Sequence, residues 1–132
     1  DGMNDEQFEA QCERIRQHLN WWKGRLIANY ETVYHFHRGP YKDEDDQVFV
    51  DASASVKTDV RYLRSTIHWN VADFVDRSDD DVRERVVHEL CHALDAELRA
   101  QGSVKGGKER VATILQRILV GLVDDARSTD AR

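Results

Sequence analysis

The stretch Ser78–Leu98, SDDDVRERVVHELCHALDAEL, decides how the chain is read. Apolar residues recur there at Val82, Val86, Leu90, Leu94 and Leu98, the spacing of one face of an α-helix. Ser78 can cap that helix, with Asp81 three residues on in the capping-box position and acidic residues at the positive end of the dipole. Gly102 is expected to end it. Inside the helix stands His88-Glu89-Leu90-Cys91-His92. Helical residues four apart differ by about 40° in azimuth and about 6 Å in height, so both imidazoles can converge on one ion. Zinc accepts imidazole nitrogens in a tetrahedral set and needs an open position to act on a water. Glu89 lies about 100° around the helix from His88. It is poorly placed to share the ion and suited to take a proton from that water. A chain of this composition carries the five-residue pattern by chance about 0.02 times, which makes the match a moderate signal. Cys91 points to the apolar side and reads as core.

Outward from this helix, the sequence predicts an α+β domain over residues 4–127. A first helix is expected from Asn4 or Asp5 to about Asn20, with Phe8, Cys12, Ile15 and Leu19 in register and Trp21-Trp22-Lys23-Gly24 ending it. Alternation then predicts strands over 25–38, 48–57 and 61–71. In the first, Tyr34 and Phe36 share one face and His35 and His37 the other. In the third, Ile67 and Trp69 oppose Tyr62 and His68. Three consecutive strands with short links suggest a three-stranded antiparallel sheet with helices on one face. The acidic run Asp43–Asp46 reads as a solvated loop between strands. A last helix is expected from Lys108 to about Asp125, with Val111, Leu115, Ile118 and Leu122 on its apolar stripe.

Composition narrows the partners. A formal net charge of -6 over 132 residues argues against nucleic acid as the main partner. No apolar run reaches the length of a membrane span, and no signal peptide is evident. Two cysteines far apart in sequence make no disulfide framework, and a cytoplasmic location is expected.

The segment "HELCHAL", preceded by "STIHWNVADF" and a capped helix, resembles the HExxH zinc metallopeptidases, chiefly the small gluzincin-like proteins of phages and bacteria and the SprT-like group. The resemblance spans roughly residues 61–119. It implies a minimal zincin-like domain that uses Zn2+ to hydrolyse a polypeptide, with Glu89 as general base. It also implies that Arg64–Asn70 is an edge strand pairing with extended substrate. SprT-like proteins supply a third histidine after the motif, and this chain has none beyond His92. Gluzincin-like proteins use a glutamate from the following helix, and Glu109 stands 17 residues after His92. For Glu109 to reach the site, the link over 102–107 must run back about 13 Å, within the roughly 20 Å that six extended residues span.

Asp95, within about 60° of both histidines, competes as third ligand or as a partner to a histidine's second nitrogen. His68, Tyr62 and Tyr34 are candidates to stabilise an oxyanion, His68 foremost. His35-Phe36-His37 is a rival metal pair, because alternate strand residues share a face. Arg99 continues the ligand stripe and can reach a substrate carbonyl. With one helix after the motif, the cleft can require a second copy or a partner protein to complete it. The rival function is a non-catalytic, zinc-stabilised protein-binding module that keeps the motif without turnover.

Overall fold

Helix α1, Asp5–Leu26, is longer than its sequence predicts. Asn4 closes a reciprocal capping box, its side chain accepting from the Gln7 amide at 2.8 Å while Gln7 Oε1 accepts from the Asn4 amide at 3.0 Å. Gly24 does not end the helix. The stripe of Cys12, Ile15 and Leu19 continues through Trp22, and all four are buried. Burying Trp22 outweighs the penalty of about 1 kcal/mol for glycine inside a helix. The computed structural model describes residues 2–102 and 107–130, side chains of 128–130 excepted.

The expected strand over 25–38 is shorter, because α1 and a turn take its first six residues; β1 is Glu31–His37. A two-stranded hairpin follows, β2 Tyr41–Lys42 against β3 Val48–Phe49, with the acidic run in its loop. The expected strand over 48–57 is therefore split, its second part becoming β4, Ala54–Asp59. Strand β5 is Arg64–Asn70, entered through Leu63 at φ 51° and followed by a short 3-10 helix, Val71–Phe74. Helix α2, Asp79–Ala100, carries the motif, and α3 is Lys108–Asp130.

The sheet is mixed, not an antiparallel meander. Its order is β1-β5-β4, with β1 parallel to β5 and β4 antiparallel to it. Local alternation fixes which residues share a face but not which strands meet, and β1 pairs with a strand 33 positions later. Strand β5 is thus central, and the expectation that Arg64–Asn70 is an edge strand is overturned. Ladders on both sides occupy its backbone, and β4 is an edge instead. The register sets cross-strand rows. Tyr34, Ile67 and Val56 form one and Phe36, Trp69 and Ala54 the next, both packed into the core; His35, His68 and Ser55 form a row on the opposite face.

As predicted, the Ser78 hydroxyl accepts from the Asp81 amide and Gly102, at φ 75°, follows the C-cap of α2. Val82, Val86, Val87, Leu90 and Cys91 are fully buried, and α2 packs against α1, β4 and α3. The stripe expected on α3 is rotated. Ala112, Leu115, Leu119 and Val120 face the core, whereas Ile114, Ile118 and Leu122 are 45%, 53% and 60% exposed. Polar anchors account for the rotation. Glu109 meets His88 and His92, Gln116 meets His88, and Asp124 accepts from Arg83 at 3.0 Å. At about 100° per residue these three anchors lie within about 80° of one another, and Ile118 falls about 180° from Glu109. Among the described residues, no helix is long and apolar enough to cross a membrane.

Candidate metal centre

Capping by Ser78 and burial of Val86, Leu90 and Cys91 fix the rotation of α2, and with it the direction of its polar side chains. His88 and His92 then project together, their rings edge to face with centroids 4.9 Å apart. His88, Glu89 and His92 each offer a ligand atom within 4.8 Å of the others. The residues sequence singled out on this helix are therefore brought together, with Cys91 in the core as expected.

Glu109 reaches them from the first turn of α3. Its carboxylate straddles the two imidazoles, Oε2 at 3.0 Å from His88 Nε2 and Oε1 at 2.8 Å from His92 Nε2. The link that brings it there, residues 103–106, lies outside the described residues. Ligands about 2.0–2.1 Å from a tetrahedral zinc lie about 3.3 Å from each other, so Glu109 stands a little closer to each imidazole nitrogen than two ligands of one zinc would. Behind His88, Nδ1–H donates to Gln116 Oε1 at 3.0 Å. That hydrogen bond selects the tautomer whose Nε2 lone pair faces Glu109. A lone pair and a carboxylate oxygen so close repel unless a proton or a cation sits between them. Either would satisfy the contact, and two imidazoles with one carboxylate are a donor set that zinc accepts. Sequence reasoning did not find Gln116; its only signal is its place two turns after Glu109 on the same helical face.

Glu89 is buried, with Arg85 Nη1 3.8 Å away. Burial pushes its carboxyl up to about 7; Arg85 opposes this and Glu109 adds to it. The His92 imidazole is held below its ordinary value, first by burial, with Glu109 opposing and His88 adding to the effect. Glu109 lies below the ordinary carboxylate value because both histidines outweigh its partial desolvation.

Asp95 is buried beside this site; its Oδ2 accepts from Arg99 Nε at 2.6 Å, while its Oδ1 is buried with no hydrogen-bond partner among the described residues. Arg99 is held by Asp95 through Nε, and its Nη2 has no hydrogen-bond partner among the described residues. Tyr34 packs against the core with the Lys23 ammonium over its ring, and Tyr62 is exposed in the turn before β5. His68 joins another group: it pairs with Glu44, hydrogen-bonds His37 and stacks on His35. These contacts are with residues outside the motif helix, although the Tyr41 ring, stacked on His68 at 5.3 Å, lies within electrostatic reach of Glu89.

Two open clefts flank the histidines. One, of about 330 Å³, is lined by Arg77, Arg85, His88, Glu109 and Arg117 among others. The second, of about 550 Å³, runs between β4 and α2 and is lined by Val56, Thr58, His92, Asp95 and Lys108. The sheet edge bordering the site is therefore β4. No family model, curated protein or solved structure matches this chain.

Proposed function

We propose that this chain is a zinc-dependent metallopeptidase of the HExxH type. His88, His92 and Glu109 hold the ion, and Glu89 is the general base. The observation that carries this reading is the Glu109 carboxylate, delivered by a separate helix between two imidazole nitrogens at 3.0 and 2.8 Å. Zinc, when bound there, supplies Lewis acidity that polarises a peptide carbonyl and brings a water's pKa down toward about 7. The chain's own residues do the rest. Glu89, buried and with its pKa near neutrality, takes the proton from the attacking water. As the C–N bond breaks, it returns that proton to the leaving amine nitrogen. Gln116 keeps the His88 ring turned toward the site.

The substrate is an extended polypeptide. The free edge of β4 can pair with it by main-chain hydrogen bonds, the role resemblance gave to Arg64–Asn70. The cleft beside β4 contains His92, so a peptide bound along that edge passes the site. Two buried, unpaired thiols, Cys12 and Cys91, fit the expected cytoplasmic setting.

The test is Glu89→Gln, assayed for zinc content and for cleavage of unfolded casein and a broad peptide library. The variant is expected to keep its zinc and lose cleavage by about 10²–10⁴-fold. If wild type and variant both retain zinc and neither cleaves any substrate, the non-catalytic zinc-stabilised binding module replaces the peptidase reading.

A further inference from the structure

A second group of ligating side chains stands on the outer face of the sheet. The parallel register sets His35 of β1 beside His68 of β5, rings stacked with centroids 4.8 Å apart. From the loop joining β2 to β3, Glu44 pairs its carboxylate with His68 Nε2. Ligand atoms of His35, Glu44 and His68 all lie within 4.8 Å of one another. His37 stands behind them, its Nε2 2.9 Å from His68 Nδ1, and the Tyr41 ring stacks on His37 at 4.5 Å. His68 is buried, its side chain 7% exposed, while that of Glu44 is 45% exposed. The ion would thus be held at the protein surface, with a route in from solvent.

We infer that His35, His68 and Glu44 form a second site for a divalent transition-metal ion, with His37 orienting His68. Two neutral imidazoles and one carboxylate leave one negative charge against a divalent cation. That donor set favours zinc and its neighbours over magnesium or calcium, which prefer oxygen alone. The relation of His37 to His68 is the hydrogen bond from a ligand's second nitrogen that fixes ring and tautomer in metal sites. In the tautomer whose Nδ1–H donates to His37, the His68 Nε2 lone pair faces the Glu44 carboxylate, and an ion can take the place of the proton those two groups otherwise share.

The three ligands come from β1, β5 and the hairpin loop, so the ion ties the hairpin to the sheet. A two-stranded hairpin with two residues per strand has little stability of its own. Its other anchors are the Tyr41 ring stack, the hydrogen bond between Tyr41 Oη and Ser55 Oγ at 2.7 Å and the ion pair of Asp45 in its loop with Lys57 of β4. This site shares no residue with His88, His92 and Glu109, and it stands whether or not the chain is a peptidase.

The experiment is zinc titration of chelator-stripped full-length protein by calorimetry, with circular dichroism to check folding. Wild type is expected to take up two equivalents. His92→Ala should lose one and keep the other, and Glu44→Gln, a near-isosteric change on a surface loop, should show the reverse loss. His37→Ala should weaken the second equivalent by about 10–100-fold. As an independent readout, zinc should slow tryptic cleavage after Lys42 in wild type and in His92→Ala but not in Glu44→Gln. Zinc uptake and zinc protection at Lys42 that are unchanged in folded Glu44→Gln, whether wild type binds one equivalent or two, overturn the second site. Loss of the His92-dependent equivalent alone bears on the motif site and leaves this one standing.

Discussion

Replacing Glu109 by alanine separates its weight as a ligand from its weight as a surface carboxylate. Without metal, its two contacts are ion-pair-like, but its side chain is 78% exposed. Solvent-screened pairs of that kind contribute about 0–1 kcal/mol, so the metal-free variant should melt within a few degrees of wild type. With zinc the difference is large. Mutating groups behind a ligand weakens metal affinity about 10–100-fold, and removing a ligand itself should weaken it by at least about 100-fold. At free zinc about 1,000 times the wild-type Kd, binding stabilises the wild type by about 4.1 kcal/mol. A 100-fold weaker variant at the same zinc gains about 1.4 kcal/mol. Unfolding entropy of about 2.1 cal/mol/K per residue over 132 residues gives about 0.28 kcal/mol per degree. Zinc should therefore raise the melting temperature by about 15 °C in wild type and about 5 °C in Glu109→Ala. The assay is a thermal melt in a zinc buffer, run in the Glu44→Gln background so that only the motif site contributes. A full zinc shift in Glu109→Ala, with the shift abolished in Asp95→Asn, would refute the assignment and make Asp95 the third ligand.

Other outcomes follow from the same geometry. Gln116→Ala should leave the fold intact and weaken zinc binding at the motif site by about 10–100-fold, read by competition with a chromophoric chelator. Burial pushes the Cys12 and Cys91 thiols up to about 11 and about 12, so at pH 8 neither should react with a disulfide reagent until denaturant is added. The Tyr30 phenol donates to Glu97 at 2.7 Å, and burial followed by that carboxylate pushes its pKa up to about 12. A raised folded-state pKa means stability present in full below the unfolded value of about 10 and lost as pH rises toward 12. Denaturant melts at pH 9 and pH 11 should show this fall in wild type and a smaller one in Tyr30→Phe.

The parts of the fold legible in the sequence are those that local chemistry decides. Ser78 and Gly102 bound α2 because capping and positive φ are properties of single residues, and the motif followed because four-residue spacing on a helix is fixed. Glu109 entered through resemblance, and the structure brings it to both histidines although its link could not be traced from sequence. Strand pairing was not legible. Nothing near Glu31–His37 signals that it runs parallel to Arg64–Asn70, and that one pairing moved the sheet edge to β4 and set His35 beside His68. The acidic run was correctly placed in a loop, yet Glu44 has a partner 24 residues away that only the folded chain reveals. On α3 the apolar period was read correctly and Leu115 faces the core as expected, but Ile118 and Leu122 face outward, since polar anchors at Glu109, Gln116 and Asp124 chose the buried face.

Because the proposed ligands are split between α3 and α2, a zinc ion held by them would link ion retention to helix docking thermodynamically. Any ligand, protease cut or partner that lifts α3 from α2 must lower zinc affinity, and zinc must resist the lifting by the same factor. The outward row of Ile114, Ile118 and Leu122 lies on that same helix. A protein gripping it hard enough to peel it away would draw the metal out without touching a histidine.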